Sequence, residues 1–436
     1  MMFNKILEFT QNKLEYIYEN SLFLRNIDKL IFVSIAGVFA ASTMMSSDVI
    51  GFIALITVFL TFVKVLFKKG ERFSCNNFEL WLLAYFMIVI ISLFGSTLFA
   101  LSLKGFFKTF TYLAFYVSLV QYLKNNKGKI PYILGIIGLC VSFEAVMGFL
   151  QNFAHVEEIS TWQDVSNLNP EQVMTRVYGT LKPLNPNLLG GYFVAGIPTL
   201  YGLAAYFFNK KSYKCSIATL VLALLSTVTL FLTGCRGSYI GMMVIMTGMF
   251  AVSAKFLWQN YKQIYLSVAG GVIALGTFAV LLSSSLRARV LSIFAMRQDS
   301  SNSFRFNVYQ SSVEMFKDNW LLGIGVGNKN FREIYGLYMK TGFDALSAYN
   351  IYLEIAVESG IFALIAYLGF LIVLIKNSIK FILKSVDTNV VIFVATALVS
   401  ICAVSVHGLV DTVFSRPQIQ FVFWTMVAII RNILEQ

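Results

Sequence analysis

Long apolar runs recur along this chain, separated by short polar breaks, and each is long enough to predict a membrane-spanning helix. The candidate spans cover residues 30–47, 49–67, 78–97, 105–123, 131–153, 188–208, 216–233, 237–258, 263–285, 349–375, 390–410 and 417–434. The pattern predicts an all-α polytopic membrane protein with about twelve transmembrane helices. Residues 1–29 form an N-terminal cytoplasmic segment; Phe3 to Leu30 is amphipathic and mixed in charge, and it is expected to lie along the membrane surface. No cleavable signal pattern precedes the first span. Residues 30–285 hold spans one to nine, residues 286–348 a large extracytoplasmic loop, and residues 349–436 the last three spans and a cytoplasmic tail.

Composition agrees: 57% of residues are hydrophobic and 13% charged, which excludes a soluble globule. The basic residues then fix the orientation. Lys64/Lys68/Lys69/Arg72, Lys124/Lys127/Lys129, Lys210/Lys211/Lys214, Lys255/Lys262 and Lys376/Lys380/Lys384 alternate with the spans and fall on one side. Under the positive-inside rule that side is the cytoplasm, with both termini there, as expected for a bacterial inner membrane. The net charge of +12 reflects this topology and an affinity for anionic membrane lipids, not for nucleic acid.

Arginine is distributed differently. Of 34 basic residues, 20 fall on the cytoplasmic face and only Arg25, Arg72 and Arg431 among them are arginines. The other 14 include eight arginines: Arg176, Arg236, Arg287, Arg289, Arg297, Arg305, Arg332 and Arg416. A guanidinium-rich outer face suggests bidentate binding of phosphate or carboxylate.

Two loops are expected outside. Residues 154–187 carry Glu157, Glu158, Asp164 and Glu171, then Arg176 and the turn Asn185-Pro-Asn187, which either caps a helix or turns a polar helix start toward an anion. In residues 286–348, Ser303 is placed to cap a helix to about Lys317, with Arg305, Tyr309, Ser312 and Phe316 on one face. Gly323-Ile-Gly-Val-Gly327 reads as a flexible joint, not a phosphate loop, and Asn328 as the cap of a second helix to Lys340. Thr233-Gly-Cys-Arg-Gly-Ser238 joins two spans, and Arg236 there serves either a substrate or the lipid headgroups. His407, Asp411 and Arg416 fall where the last two spans meet, as a structural pair or as catalytic groups. Glu354 and Glu358 lie one turn apart below Tyr349-Asn350, and Glu144 sits mid-span; carboxylates at that depth need partners. Two histidines, His155 and His407, and five cysteines without CxxC spacing predict no metal, cofactor or disulfide.

Taken together, Arg176-Val-Tyr-Gly-Thr-Leu, Asn185-Pro-Asn-Leu-Leu-Gly-Gly-Tyr192, Thr233-Gly-Cys-Arg-Gly-Ser238, Phe304-Arg-Phe, Trp320-Leu-Leu-Gly-Ile-Gly-Val-Gly-Asn328 and Ser347-Ala-Tyr-Asn-Ile-Tyr-Leu-Glu-Ile-Ala-Val-Glu-Ser-Gly360 resemble the O-antigen ligase and polymerase superfamily. Ser347-Ala-Tyr and His407-Gly-Leu-Val-Asp-Thr resemble its branch labelled as inorganic-carbon (bicarbonate) transporters. The resemblance implies a GT-C-like fold and an inverting, metal-independent glycosyltransferase. Its donor would be a polyprenyl-diphosphate-linked glycan, such as undecaprenyl diphosphate, and its acceptor a glycan or lipid hydroxyl. Arg176, Arg236 and Arg305 match arginines of the family motifs, and Asn187, Asp411 and Arg416 join them as expected substrate-binding residues. Where family ligases open the tenth-span motif with a histidine base, this chain has Tyr349, followed by Asn350. A phenol of ordinary pKa near 10 is a poor base at neutral pH, which moves the expected proton acceptor to Asp344, Glu354 or His407. An anion transporter would use the same arginines, but it should carry mid-membrane sites reachable from both sides. A non-catalytic binder of lipid-linked glycan is the third reading.

The topology has a direct test. A cysteine placed at Lys329 should react with an impermeant thiol reagent added outside the cell, and one placed at Lys211 should not; the reverse labelling would invert the arrangement.

Overall fold

The computed structural model describes residues 2–154, 176–294 and 300–435. His155, the four acidic residues from Glu157 to Glu171, and Arg297 lie outside the described residues. The chain forms α1 (Met2–Asn20), α2 (Leu22–Arg25), α3 (Ile27–Met44), α4 (Ser47–Phe67), α5 (Asn77–Gly95), α6 (Phe99–Asn125), α7 (Ile130–Gln151), α8 (Pro186–Asn209), α9 (Tyr213–Leu232), α10 (Arg236–Leu282), α11 (Ser284–Leu291), α12 (Ser300–Asp318), α13 (Asn328–Tyr335), α14 (Ile351–Lys384), α15 (Thr388–His407) and α16 (Pro417–Leu434). No strand occurs among the described residues. The protein is an all-α polytopic membrane protein.

Ten helices are long and apolar enough to cross a membrane. They are α3, α4, α5, α7, α8, α9, α14, α15 and the two halves of α10, which break at Tyr261. The other two expected spans coincide with α6 and α16, which are helical but more polar. The reason differs for each. Lys104, Lys108 and Lys124 sit toward the ends of α6. Nearly all of α16 is buried against protein, so Gln418, Thr425 and Arg431 never meet lipid.

The centre of the bundle is α8, α15 and α16, with α5 and α14 packed together on one side and α6 against α16. Side-chain caps set the starts. Asn185 accepts the backbone N–H of Asn187 before Pro186 opens α8, and Asn76 with Glu79 forms a reciprocal capping box on α5. At the end where the short helices α11–α13 lie, here called the capped end, Ser303 falls inside α12 instead of capping it, because the helix begins three residues earlier at Ser300. Asn328 is likewise the first residue within α13, with Gly327 as its cap, and that helix stops at Tyr335.

The segment Trp320–Gly327 is not a flexible joint. Gly360, at φ +80° and ψ 178°, breaks α14, leaving carbonyl and amide groups that the helix cannot satisfy itself. The glycine segment fills the gap: Ile324 N–H donates to Val357 O (3.0 Å), Gly325 N–H to Glu358 O (2.9 Å), and Ile361 N–H to Trp320 O (2.9 Å). Ser92 of α5 adds a bond to Glu358 O at 2.8 Å, and the Glu358 carboxylate accepts Gly327 N–H at 2.8 Å.

Charged side chains hold the opposite end. Lys64 is fully buried, 2.8 Å from Asp28 and 3.5 Å from Glu71. Arg431 is also fully buried, pairing with Glu79 at 3.1 Å and with Glu435. Gln11 ties α1 to the end of α4 through Val65 O (2.8 Å) and Glu71 O (3.1 Å).

Gly360→Ala should destabilise the protein by about 2–4 kcal/mol, since that backbone region is closed to alanine and a Cβ would collide with the Leu321 carbonyl. Thermal unfolding in detergent should show a clearly lower midpoint; an unchanged midpoint would mean that the glycine segment does not hold the break.

Candidate functional site

At the capped end, three connections meet: the α9–α10 turn, the residues leading into α14, and the α15–α16 link. Asn350 joins two of them. Its side-chain oxygen accepts the N–H groups of Tyr352 (2.9 Å) and Leu353 (3.0 Å), capping α14, while its amide donates to Leu409 O at 3.0 Å. Ile351 N–H bonds to Gly408 O at 2.8 Å, and the hydroxyls of Ser347 and Thr412 meet at 2.5 Å. This stitching holds the start of α14 against the end of α15.

Asp411 is the hub. One oxygen accepts the backbone N–H groups of Thr412 (2.7 Å) and Val413 (3.2 Å); the other faces Arg305 at 3.4 Å. Arg305, on α12, lies over the Tyr349 ring with its guanidinium carbon 5.8 Å from the centroid. Tyr349 has a left-handed backbone, φ +50°, and its carbonyl accepts the Tyr309 hydroxyl at 3.1 Å. The Tyr349 hydroxyl itself has no hydrogen-bond partner among the described residues. Burial pushes this phenol up to about 12, with the Asp411 charge adding to the rise and Arg305 opposing it. It therefore stays protonated at neutral pH and serves as a donor, not a base.

The arginines approach from the other side. Arg176 donates to Thr233 O at 2.8 Å and to the Asn187 side chain at 2.6 Å, so the turn opening α8 and the turn opening α10 hold it jointly. It meets no carboxylate among the described residues. Burial lowers its pKa; the nearby Cys235 and Tyr239 oppose that, and the neighbouring Arg236 adds to it. Arg236, the first residue of α10, is buried and donates to both oxygens of Ser292 at 3.2 Å. Arg289 of α11 donates to Gly234 O at 2.9 Å. Arg176 lies within electrostatic reach of both Arg236 and Asp411. Two or more guanidinium groups around one anchored carboxylate suit a ligand with several anionic oxygens.

His407, the last residue of α15, is buried with its Nε2 3.4 Å from Ser238 Oγ and 3.9 Å from Cys235 Sγ. Cys235, His407 and Asp411 offer ligand atoms that all lie within 4.8 Å of one another. The set has soft and borderline donors of the kind zinc takes. Asp411, however, is already engaged by two backbone N–H groups and Arg305. Gly237 presses against the imidazole so closely that even a Cβ there would lie 3.1 Å from Nε2. The arrangement fits a hydrogen-bonded brace better than a metal centre.

Below the start of α14 lies a cavity of about 680 Å³ between α5, α6, α14 and the glycine segment. Glu354 and Glu358 line it, as do Thr412 and Ser415. Glu358 is satisfied by Gly327, whereas Glu354, only 7% exposed, has one carboxylate oxygen with no hydrogen-bond partner. Tyr349 lies within electrostatic reach of both Asp411 and Glu354, so the arginine cluster and the cavity adjoin.

Not every expected residue is gathered here. Asp344 is half-exposed and tied to Arg332 at 2.6 Å, in a surface ion pair. Arg416 caps α16 beside Tyr112, half-buried, and has no side-chain partner among the described residues. Glu144 is buried elsewhere, bonded to Thr180. Conversely, Arg289, Ser292 and Cys235 join the site without having been singled out. They come from positions up to 172 residues away from their partners, and only the folded bundle relates them.

Comparison with known proteins finds similarity over part of the chain. Residues 221–368 match the family model described as O-antigen ligase, covering α9 through the first half of α14 with Arg236, Arg305, Tyr349 and Glu354. That segment is similar to the family its motifs resemble. It is 26% identical over 238 residues to the teichuronic acid biosynthesis protein TuaE of Bacillus subtilis, a match covering 52% of this chain and 47% of that one. It is also 26% identical over 201 residues to an uncharacterized protein of Haemophilus influenzae, covering 43% of this chain and 48% of the other. The chain spans about half the length of the curated relatives it matches.

Two substitutions separate ligand chemistry from scaffold. Tyr349→Phe removes a hydroxyl with no hydrogen-bond partner among the described residues, and its thermal stability should stay within about 0.5 kcal/mol of the parent. Asp411→Ala strands Arg305 and two backbone N–H groups and should destabilise by about 3–5 kcal/mol. Equal unfolding midpoints for the two variants would remove Asp411 from the centre of the site.

Proposed function

We propose that this protein is a membrane glycosyltransferase of cell-envelope polysaccharide biosynthesis. In this reading it moves a glycan from a polyprenyl-diphosphate carrier to an acceptor hydroxyl on the outer face of the inner membrane, with both termini in the cytoplasm. The observation that carries the reading is the cluster of buried Arg236 with the half-buried Arg176 and Arg305, beside a cavity whose wall holds a carboxylate with one unpartnered oxygen. The family match over residues 221–368 and the teichuronic acid relative support the envelope-glycan assignment.

The chemistry divides between the two halves of the site. The arginines hold the diphosphate and stabilise the charge that develops as it leaves, in a place largely closed to water. Glu354 takes the proton of the attacking hydroxyl, which joins the anomeric carbon as the carbon–phosphate oxygen bond breaks on the opposite face. Tyr349, protonated, donates a hydrogen bond to donor or acceptor. Glu354 is preferred to His407 as the base because it faces the cavity, while His407 is enclosed by Gly237, Cys235 and Ser238. Asp344, tied to Arg332 at the surface, is not used.

In nanodiscs with a polyprenyl-diphosphate-linked oligosaccharide and an acceptor glycan, Glu354→Gln should lower the transfer rate roughly 10²–10⁴-fold. Arg236→Lys, which keeps the charge but loses the fork, should lower it roughly 10–100-fold, and Asp344→Asn should leave it unchanged. Absence of transfer by the parent, together with bicarbonate uptake that depends on the same arginines, would replace this reading with anion transport.

A further inference from the structure

The cavity beside the arginine cluster has a chemical character of its own. At its mouth stand three ammonium groups, Lys104 and Lys108 one turn apart on α6 and Lys329 on α13, which outnumber the one exposed carboxylate lining the same space, Asp48. All three are exposed, and none has a hydrogen-bond or ion-pair partner among the described residues. At its depth two buried polar atoms are unpaired: the Glu354 carboxylate oxygen, which can only accept, and the Tyr367 hydroxyl, which can donate. Both groups line the same space, and Tyr367 is 2% exposed. Leaving such atoms unsatisfied is costly unless a ligand completes them. Trp424 adds an aromatic wall.

We propose that this cavity binds the acceptor, and that the acceptor is an anionic glycan. Each feature corresponds to one property of such a chain. The lysine ring attracts a carboxylate or phosphate carried on a sugar. Glu354 and Tyr367 pair with hydroxyls, and the indole supplies an apolar face for a pyranose ring. The lysines keep the anion at the mouth, apart from the arginines that hold the diphosphate, so donor and acceptor enter from different sides. An anionic acceptor also reconciles two opposite charges in one pocket: its acidic group meets the lysines, and its neutral hydroxyl reaches the carboxylate. This assignment rests on the glycosyl-transfer reading, but it is tested by binding alone.

The full-length protein is placed in phosphatidylcholine nanodiscs and titrated with an oligosaccharide of alternating glucuronic acid and N-acetylhexosamine, and with its carboxyl-reduced, neutral counterpart. The acidic form should bind about tenfold or more tightly than the neutral one. The triple variant Lys104→Gln/Lys108→Gln/Lys329→Gln should bind both forms equally, and it should unfold at the parent's temperature because none of these side chains bonds anything. Arg236→Lys, which transfer assays should find impaired, should keep the preference. Equal binding of the two oligosaccharides to the parent, or a preference that survives in the triple variant, would overturn the proposal. So would displacement of the acidic oligosaccharide by phosphatidylglycerol added to the nanodisc, which would make the lysine ring a lipid-headgroup site. Loss of the preference with transfer intact would refute the acceptor assignment alone; selective binding without transfer would refute the catalytic reading and leave a binding site for anionic glycan.

Discussion

Everything at the capped end depends on one repaired defect. A helix interrupted inside a bilayer leaves backbone groups that lipid cannot satisfy, and each such group costs several kcal/mol unless protein supplies a partner. In α14 the interruption at Gly360 is filled by the backbone of residues 320–325 and by Ser92. The same interlock lowers the glycine segment onto Glu358, making it both the roof of the cavity and the partner of one of its two carboxylates. Glu354, one turn away, keeps one carboxylate oxygen without a hydrogen-bond partner. Two acidic residues that look alike in the sequence thereby acquire different surroundings, one satisfied by the glycine segment and one with an oxygen left open to the cavity.

Charge is handled differently at the two ends of the bundle. Far from the site, Lys64 and Arg431 are buried with full sets of acidic partners, and their function is to fasten helices together. Near the site the balance is left open. Arg176 is held by a carbonyl and an amide, neither of which neutralises it, and Asp411 alone serves several surrounding cations. An excess of guanidinium in a largely buried place is unfavourable by itself, and an anionic ligand would offset it.

The extent to which the sequence disclosed this follows from the range of each interaction. Helices were legible because hydropathy and basic clusters are local, and the Asn185 cap because a cap acts within three residues; Ser303 and Asn328, also expected as caps, fall inside their helices, and the Asn350 cap was not foreseen. The α6 and α16 spans were read from apolar runs and agree with the alternation of basic clusters, but both helices are more polar than the ten long apolar ones. Misreading of the glycine segment had a physical cause: glycines without a visible partner look flexible, and the partner is a break at Gly360, inside a span that hydropathy reads as one continuous helix. The membership of the site was the least legible. Cys235 and His407, or Arg305 and Asp411, are brought together only by tertiary packing, and Asp344 carries the same chemistry as Asp411 yet folds onto the surface beside Arg332.

The pairing of α5 with α14, and of α6 with α16, also sets an order of events during synthesis. Ser92 finds the carbonyl of Glu358 266 residues later in the chain, Tyr112 meets Ser415 after 303, and Glu79 meets Arg431 after 352. Membrane helices emerge and insert from the N-terminus, so α5 and α6 spend most of translation in the bilayer with their inward-facing polar groups unmatched. Early helices carrying so many deferred contacts must be sheltered by the insertion machinery or by one another. The arginine side of the site is held by residues 176–292 alone, but Asp411, His407 and the wall that α16 lends the cavity are added only when the C-terminal helices dock, so that one event completes it.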